Sequence, residues 1–226
     1  MKTTKEMLDE IDSIKSRINT LEMALANKQH EEENNPSFSP KLPEMVKIPN
    51  RPYSLGKYPV TVGQWKEFAR DVDNGFFYDN PGFFYDNSAG PDNNPITSVT
   101  YEEVQKYITW LNAKTSQTYR LPSEDEWEYC CADHKEATKE IAVFDQHCVS
   151  PISTKAPNSF GLFDMLGNVW EFTSSFENNP DFLHKRIIIR GGSWYSSSRS
   201  CRSAYRGRYR PDARESRLGF RLLREG

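Results

Sequence analysis

Apolar residues recur at helical spacing in three segments of the chain. The segments 60–72 and 97–115 each have a Thr or Ser near their start and then place apolar residues on one side of a helix. The segment 119–131 offers Ser123 as an N-cap, with Glu126 three residues later, which is the spacing of a capping box. The pattern therefore predicts at least two amphipathic helices, and a third that begins after Ser123.

Short apolar runs in the second half of the chain indicate strands rather than helices. One run is 186–190 and a second is 218–223. The residues around these runs are rich in Gly, Pro, Asn and aromatic side chains, a composition typical of ordered loops. The pattern predicts an α+β domain with two or more helices, a small sheet and much ordered loop.

A different periodicity occupies the N-terminal segment. Apolar residues follow one another at spacings of 4, 3, 4, 3 and 4, as in a coiled-coil seam; they are Met7, Ile11, Ile14, Ile18, Leu21 and Leu25. Three heptads are marginal for a lone helix, and Ile at both kinds of seam position favours three or more strands. We therefore expect a homo-oligomer, with a trimer favoured. The alternative is an amphipathic helix folded back on its own domain.

These patterns divide the chain into three parts. Residues 1–29 form the predicted coiled-coil oligomerisation helix, residues 30–42 form an acidic, Asn- and Pro-containing linker, and residues 43–226 form the α+β domain. Within that domain the hexapeptide GFFYDN occurs at 75–80 and again at 82–87. The repeat is either a tandem duplication in a surface loop or an aromatic arm that packs against a neighbouring subunit or ligand.

Composition argues against a membrane or secreted protein. The 226 residues carry a net charge of -3, the mean hydropathy is -0.78, and no apolar run is long enough to cross a membrane, so we expect no membrane insertion. The N-terminus lacks the apolar core of a secretory signal peptide. The four cysteines, two of them adjacent, indicate reduced thiols in a cytoplasmic product rather than a disulfide framework.

Charge is concentrated at the C-terminal end. Residues 186–226 contain eleven Arg and three acidic residues, a net charge of +8, and no Lys. Such a segment can bind nucleic acid, or its arginines can pair with carboxylates inside the fold. Because Arg is the residue suited to fixed, bidentate pairing with carboxylates, we favour pairing over nucleic-acid binding.

Six motifs in order along the chain resemble the formylglycine-generating-enzyme family, or sulfatase-modifying-factor family. They are GKYPVT at 56–61, PITSVTYEEVQKYITWLN at 95–112, YRLPSEDEWEY at 119–129, GLFDMLGNVWEFT at 161–173, RGGSW at 190–194 and GFRL at 219–222. The resemblance covers about residues 43–224. It implies a C-type-lectin-like fold, in the variant of that family, with two helices, a small central sheet and long structured loops.

The resemblance also implies a copper-dependent oxidase, but one residue of its site is missing. The family's oxidases bind copper through two cysteines five residues apart, just after the GGS motif. The matching positions here are Ser196 and Cys201, and a hydroxyl is a poor ligand for a soft metal. We therefore expect no copper and no enzyme activity. A zinc site is also disfavoured, since two cysteines of the available set are adjacent; that set is Cys130, Cys131, His147 and Cys148.

A calcium site of the family has matching residues in this chain. The resemblance implies that the side chains of Asp164 and Glu171, with the carbonyl groups of Gly167 and Val169, hold the ion. Oxygen ligands of this kind suit a hard cation such as calcium. The alternative is that Glu171 pairs with an Arg and Asp164 caps a turn, and the sequence leaves both open.

The segment 190–221 resembles one branch of this fold most closely, the variable proteins of diversity-generating retroelements. In that branch a reverse transcriptase miscopies adenines in Asn codons of a template, so the variable positions never become Trp, Met, Gln, Glu or Lys. Glu215 lies outside this reachable set, so it is left out of the variable positions or has a different template codon. Eleven other non-framework residues of the segment belong to the reachable set. They are Tyr195, Ser196, Ser197, Ser200, Tyr205, Gly207, Tyr209, Arg210, Ala213, Ser216 and Arg217.

Residue type supports this interpretation of the segment. Tyr, Ser, Gly and Arg are the preferred residues of antibody-like binding surfaces, because Tyr offers rigid contact area and Ser and Gly adapt. We expect framework residues to hold the surface, with Trp194 and Phe220 in the core and the arginines paired with acids such as Glu126, Glu128 or Asp212. The alternative is that the eleven positions are ordinary loop residues of an inactive family member.

Together these features predict a non-enzymatic binding protein. It would display region 190–221 to a protein or cell-surface target, and a coiled coil would multiply a weak contact by avidity. We expect it in the cytoplasm or in a phage virion. Two alternatives remain. One is a formylglycine-generating-type oxidase or a catalytically dead relative of it; the other is a structural subunit of a phage or bacterial assembly.

Overall fold

The computed structural model describes residues 42–72, 90–177 and 185–226. The predicted coiled coil at 1–29, its six seam residues and the GFFYDN repeat lie outside the described residues, as does the linker except for Leu42. Lys41–Gly226 forms one compact unit. Helices and strands are mixed in this unit, so the α+β prediction is confirmed.

Three helices begin where the sequence places their capping residues. They are α1 (Val62–Asp71), α2 (Tyr101–Thr115) and α3 (Glu124–Cys130). Each begins after a Thr or Ser whose hydroxyl accepts the backbone N–H three residues later, while the side chain of that later residue accepts the N–H of the cap. The capping box predicted from Ser123 and Glu126 is confirmed, and Thr61 and Thr100 head equivalent boxes.

Eight strands of the described residues form two four-stranded sheets. The first has the order β1-β2-β8-β3 and the second has the order β6-β5-β4-β7. The strands are β1 (Met45–Lys47), β2 (Tyr53–Gly56), β3 (Tyr119–Arg120), β4 (Trp170–Glu177), β5 (Arg186–Arg190), β6 (Gly207–Tyr209), β7 (Leu218–Phe220) and β8 (Leu223–Glu225). Only the β4–β7 pair is parallel among these ladders.

The strand predicted at 186–190 is confirmed as β5, whereas the single strand predicted at 218–223 is wrong. That run is divided into β7 and β8, which belong to different sheets. The break lies at Arg221, whose side chain is fully buried. The carbonyl groups on either side of it leave the β7 ladder, and Leu222 O accepts the N–H of Gly56 at 2.7 Å. A periodicity read from sequence carries no signal for such a change of sheet.

Two apolar cores hold the domain together. The first lies under α1 and α2, where the Trp65 and Tyr107 rings stack with centroids 5.6 Å apart and Phe220 meets both rings edge-on. The second surrounds the fully buried Trp127 of α3 and includes Leu55 of β2. Large apolar side chains of this kind supply most of the free energy that opposes unfolding.

A buried ion pair joins the two sheets. The guanidinium of Arg221 donates to both carboxylate oxygens of Glu171 on β4, at 2.7 and 2.8 Å. It also donates to the carbonyls of Gly56 and Phe163, at 3.0 and 2.9 Å, and the indole N–H of Trp127 donates to Glu171 at 2.7 Å. Because each charge is multiply hydrogen-bonded, burial of the pair is tolerated.

Candidate binding surface

The eleven predicted variable positions share one property in the structure: none of their side chains is buried. Tyr195 is the most exposed large apolar residue of the described chain, at 64%. Some of the residues interleaved with them are buried, as Gly191, Gly192, Cys201 and Phe220 illustrate, whereas others, such as Arg199 and Asp212, are exposed. The eleven positions are carried by the loop after β5, by a short 3-10 helix (Ser198–Cys201), by the turn after it, by β6 and by the loop before β7. The predicted variable positions thus all lie among the outer residues of this region.

Close packing explains the two glycines at the start of the region. Both have positive φ, 96° at Gly191 and 79° at Gly192, which favours glycine. A Cβ at Gly192 would lie 2.4 Å from the Cys201 sulfur, and one at Gly191 would lie 3.2 Å from the Trp127 ring. The loop therefore leaves the sheet at a fixed angle.

The next residues are held by backbone hydrogen bonds on both sides. Trp194 N–H donates to Asn168 O at 2.8 Å, and Trp194 O accepts the N–H of Gln146 at 2.7 Å. Ser196 O accepts the N–H of Asp145 at 3.0 Å. Tyr195 is thus displayed from a backbone that is fixed on either side of it.

Variable side chains contact one another and fixed residues. The Tyr205 ring lies 5.9 Å from the Trp170 ring, between centroids. The Arg217 guanidinium lies 5.3 Å from the centroid of Tyr195 and donates to Glu215. Burial raises the pKa of Tyr209 to about 12, and a hydrogen bond to the same Glu215 carboxylate raises it too. These side chains form a connected surface rather than a set of separate loops.

Most of the C-terminal arginines pair with carboxylates, as the sequence predicted. The pairs are Arg190–Glu128, Arg206–Glu124, Arg208–Glu177, Arg210–Asp212, Arg214–Glu103, Arg217–Glu215 and Arg221–Glu171. The expectation that a C-terminal arginine pairs with Glu126 is wrong, because Arg120 donates two hydrogen bonds to the Glu126 carboxylate. Phe220 is a core residue as predicted. Trp194 is not, because it is only half-buried, with its ring in a T-shaped contact with Tyr195.

The positions that match the family's two cysteines do not form a thiol pair. Cys201 is buried, and burial raises the pKa of its thiol to about 12, so it remains protonated near neutral pH. Ser196 holds its hydroxyl 3.0 Å from the hydroxyl of Ser193. Within the described residues, no group of three or more His, Cys, Asp or Glu side chains is placed to hold a metal ion.

The candidate calcium ligands are engaged by N–H donors in this arrangement. Both oxygens of Glu171 accept hydrogen bonds from Arg221 and Trp127. Asp164 is buried and accepts the N–H of Ser153 at 2.8 Å, and burial raises its pKa to about 6. A carboxylate that is bonded to a guanidinium and a buried carboxyl group that holds its proton more tightly than usual suit a cation poorly. The set therefore does not fit calcium as arranged, and calcium binding at Asp164, Gly167, Val169 and Glu171 stays a prediction.

Sequence reasoning missed the role of Glu215. Its carboxylate contacts Arg217 and Tyr209, and its backbone carbonyl accepts the N–H of Ser98 at 2.9 Å. Glu cannot arise at a variable Asn codon, so the sequence left Glu215 either outside the variable set or with a different template codon. Its contacts across the surface depend on how the loop before β7 folds, which no local pattern reveals.

The fold and this surface define a C-type-lectin-like domain of the formylglycine-generating-enzyme type. The chain matches the family described as the sulfatase-modifying factor enzyme 1-like domain over residues 20–226, and it belongs to that family. Among its relatives are proteins named as enzymes and a protein named as inactive, so membership does not by itself assign an activity.

Curated relatives are identical to this chain at about a quarter of the aligned positions. Formylglycine-generating enzyme of Mus musculus is 27% identical over 178 residues, covering 58% of this chain and 46% of the relative. Hercynine oxygenase of Mycolicibacterium smegmatis is 26% identical over 241 residues, covering 79% and 54%. Inactive C-alpha-formylglycine-generating enzyme 2 of Bos taurus is 28% identical over 155 residues, covering 56% and 49%. The chain spans a quarter to about half of the length of the curated relatives that it matches.

Solved structures confirm the predicted fold. Treponema denticola variable protein 1 has a TM-score of 0.62 at 18% identity, covering 82% of this chain and 92% of that one. PvdO from Pseudomonas aeruginosa has a TM-score of 0.64 at 22% identity, covering 81% and 91%. The Major Tropism Determinant P3c variant has a TM-score of 0.52 at 14% identity, covering 83% and 53%. In the described part of the chain, no helix is long and apolar enough to span a membrane.

Proposed function

We propose that this protein is a non-enzymatic ligand-binding protein, a variable protein of a diversity-generating retroelement. Its diversified surface comprises the eleven positions between Tyr195 and Arg217. One observation carries the proposal: all eleven positions are at least partly exposed, whereas Gly191, Gly192, Cys201 and Phe220 of the same region are buried. A surface selected to vary requires this separation, because substitution at buried positions destabilises the fold.

The chemistry of the surface supports binding of a protein or cell-surface receptor. Three tyrosines, Tyr195, Tyr205 and Tyr209, present aromatic rings that are positioned by neighbouring rings or by ion-paired side chains. Fixed aromatic side chains bind at a low cost in conformational entropy. Two structural neighbours are named as a variable protein and a tropism determinant, and the fold that they share with this chain agrees with the proposal.

The absence of a thiol pair supports the non-enzymatic part of the proposal. The family position at Ser196 carries a hydroxyl, and the Cys201 thiol is buried and protonated. The oxidase alternative draws on Cys201 and on the similarity to the mouse formylglycine-generating enzyme. The oxidase alternative requires that the native protein oxidises a cysteine-containing peptide in a thiol-dependent reaction. The variant Cys201→Ser should lose this activity. If the native protein oxidises no such peptide with copper supplied, this alternative is removed.

We further propose that the heptads at 1–29 assemble a trimer, in the cytoplasm or in a phage virion. Three copies of a weak surface on one stalk would gain affinity through effective concentration. Sedimentation equilibrium of the full chain and of a chain lacking residues 1–30 tests the assembly. A trimer that becomes a monomer on deletion supports it. An unchanged oligomer after deletion assigns assembly to another surface.

The decisive test of diversification is the DNA sequence of the locus. We expect a near-copy of the segment that encodes residues 190–221, beside a reverse transcriptase gene. The copy should differ from the coding segment at adenines, and the differing codons should be those of the eleven positions. A locus without such a copy would return Tyr195–Arg217 to ordinary loop residues, and a catalytically dead relative or a structural subunit of a phage or bacterial assembly would then fit better.

A further inference from the structure

A cationic cavity adjoins the predicted variable surface. It has a volume of about 250 Å³, and no carboxylate is among its lining residues. The lining consists of Lys139, Ala142, Val143, Phe144, Gln146, Ser150, Thr154 and Lys155. Its two formal charges are therefore both positive.

The two lysines of this cavity donate to backbone carbonyls, although Lys155 also lies near Glu140, whose pKa is lowered by a hydrogen bond from Thr138 and by the charge of Lys155. Lys139 donates to the carbonyl of Phe144 at 2.8 Å and lies 4.1 Å from the centroid of that ring. Lys155 donates to the carbonyl of Lys139 at 2.5 Å. Neither ammonium forms an ion pair with a described residue. Since an ammonium has three donors, each keeps hydrogens for an external acceptor while a neutral carbonyl holds its position.

The wall of the cavity is built on buried, closely packed backbone. Asn168 is fully buried and holds Ser150 by two hydrogen bonds, at 3.0 and 3.1 Å. Next to it, Gly167 packs so closely that a Cβ would lie 2.2 Å from the Val143 carbonyl oxygen. A cavity with such a wall is preformed, so an occupant would not have to order it.

Hydrogen bonds join this cavity to the variable loop. Gln146, which lines the cavity, donates its N–H to the carbonyl of Trp194, and Asp145 donates its N–H to the carbonyl of Ser196. On the other side, Ser203 donates its N–H to the carbonyl of Lys135 at 3.0 Å. A ligand seated on Tyr195 would therefore lie beside the cavity.

The distribution of charge over the surface favours an acidic protein segment over nucleic acid. A nucleic acid requires a positive stripe that follows its backbone. The arginines that would continue such a stripe across β6 are neutralised, since Arg206, Arg208 and Arg210 pair with carboxylates. The two cavity lysines have no ion pair with a described residue, and they match one or two carboxylates.

We propose that this cavity is a fixed carboxylate-binding site, which receives an acidic side chain from a protein segment bound at the variable surface. The inference rests on the proposed function for its partner, because it assumes that a protein target lies across Tyr195. Lys139 and Lys155 lie outside the segment that varies. They would supply the same anchor in every variant, while the variable residues supply selectivity.

The test uses the full chain and two short fluorescein-labelled peptides, one of alternating Glu and Gly and one of alternating Gln and Gly. We expect fluorescence anisotropy to show binding of the Glu peptide roughly tenfold tighter than that of the Gln peptide, weakening with added salt. The double variant Lys139→Gln, Lys155→Gln should abolish the difference. The matched control is Lys66→Gln, Lys106→Gln, which removes the same charge from lysines that are paired with Asp92 and Glu102.

Carbodiimide coupling, followed by mass spectrometry of the cross-linked peptide, locates the contact. Attachment at Lys139 or Lys155, and not at Lys66, supports the site. Equal affinity for both peptides, or an equal loss in the control variant, would overturn it. So would tighter binding of single-stranded oligothymidine through the same two lysines, which would make the cavity a phosphate site.

Failure of this inference and failure of the proposed function give different results. If Tyr195→Ala and Tyr205→Ala leave Glu-peptide binding intact and the locus has no template copy, the cavity stands while diversification fails. If the template copy exists but the lysine variants bind the Glu peptide normally, only the cavity inference fails.

Discussion

The guanidinium of Arg217 lies 5.3 Å from the centroid of the Tyr195 ring, over a face of the most exposed aromatic residue of the surface. The same guanidinium donates to one oxygen of Glu215, at 2.9 and 3.1 Å. Glu215 also hydrogen-bonds to Tyr209. Two predicted variable tyrosines are therefore connected through one predicted variable arginine and one fixed carboxylate. Substitution at any of these positions should alter the others.

The first prediction concerns the link between Glu215 and Tyr209. Burial raises the pKa of Tyr209 to about 12, and the hydrogen bond and charge of Glu215 contribute to the rise. In Glu215→Gln we expect the pKa of Tyr209 to fall toward its usual value of 10.0, because the carboxylate no longer disfavours the phenolate. Ultraviolet absorbance during a pH titration measures this change. The variant Tyr209→Phe identifies the part of the absorbance change that belongs to Tyr209. A titration curve unchanged by Glu215→Gln would show that the contact between Glu215 and Tyr209 is absent in solution.

The second prediction concerns the buried pair of Glu171 and Arg221. Arg221→Met should lower the free energy of unfolding by about 3 to 5 kcal/mol, because it leaves a buried carboxylate with only Trp127 as a donor. Urea denaturation measures the loss. Replacing both residues by apolar ones should cost less than the single change. The surface pair provides the control: Arg206→Gln, beside Glu124, should cost less than about 1 kcal/mol. Equal losses in both single variants would contradict the buried role.

Local patterns predicted the elements that local interactions determine. The capping box at Ser123 and Glu126 and the strand 186–190 appear where the sequence placed them. The division of 218–223 between two sheets was missed, because it depends on Arg221 reaching a carboxylate 50 residues away in sequence. Pairing of the arginines was predicted as a class, and Glu128 and Asp212 are among the partners as expected. Glu124 was missed, since it lies 82 residues before Arg206.

The third prediction separates Gly207 from the other variable positions. A Cβ at Gly207 would lie 2.6 Å from Cγ1 of the buried Ile189 and 3.3 Å from the Trp170 ring. Gly207→Ala should therefore lower the free energy of unfolding by about 1 to 3 kcal/mol. Ser216→Ala, at an exposed position, should change it by less than about 0.5 kcal/mol. If thermal or urea denaturation finds both variants neutral, Ile189 yields easily, and position 207 is free to vary.

The fourth prediction concerns the four cysteines. Cys130, Cys131 and Cys201 are buried and Cys148 is exposed, and burial raises the pKa of Cys201 to about 12. A thiol reagent such as dithiobis(nitrobenzoic acid) should label Cys148 rapidly in the native protein and all four thiols after unfolding. Cys148→Ser should remove the fast phase. Rapid labelling of Cys201 would show an accessible thiolate and would strengthen the oxidase alternative.

The last prediction concerns Asp164, a candidate calcium ligand. Burial raises its pKa to about 6, although the Ser153 N–H opposes the rise. Because the folded state holds this proton more tightly than the unfolded state, the free energy of unfolding should fall as the pH rises from about 4 to about 6. Asp164→Asn removes the titration while its amide oxygen still accepts from Ser153, and Asn tolerates the φ of 54°.

We therefore expect Asp164→Asn to be up to about 2 kcal/mol more stable than the native chain at neutral pH, with no gain near pH 4. Urea denaturation at the two pH values, with calcium and with a chelator, measures both effects. Since Glu171 is committed to Arg221, calcium should leave the native denaturation midpoint unchanged. A calcium-dependent rise in the native protein that Asp164→Asn abolishes would mean that the ion displaces the hydrogen bonds of both carboxylates, and would establish the calcium site.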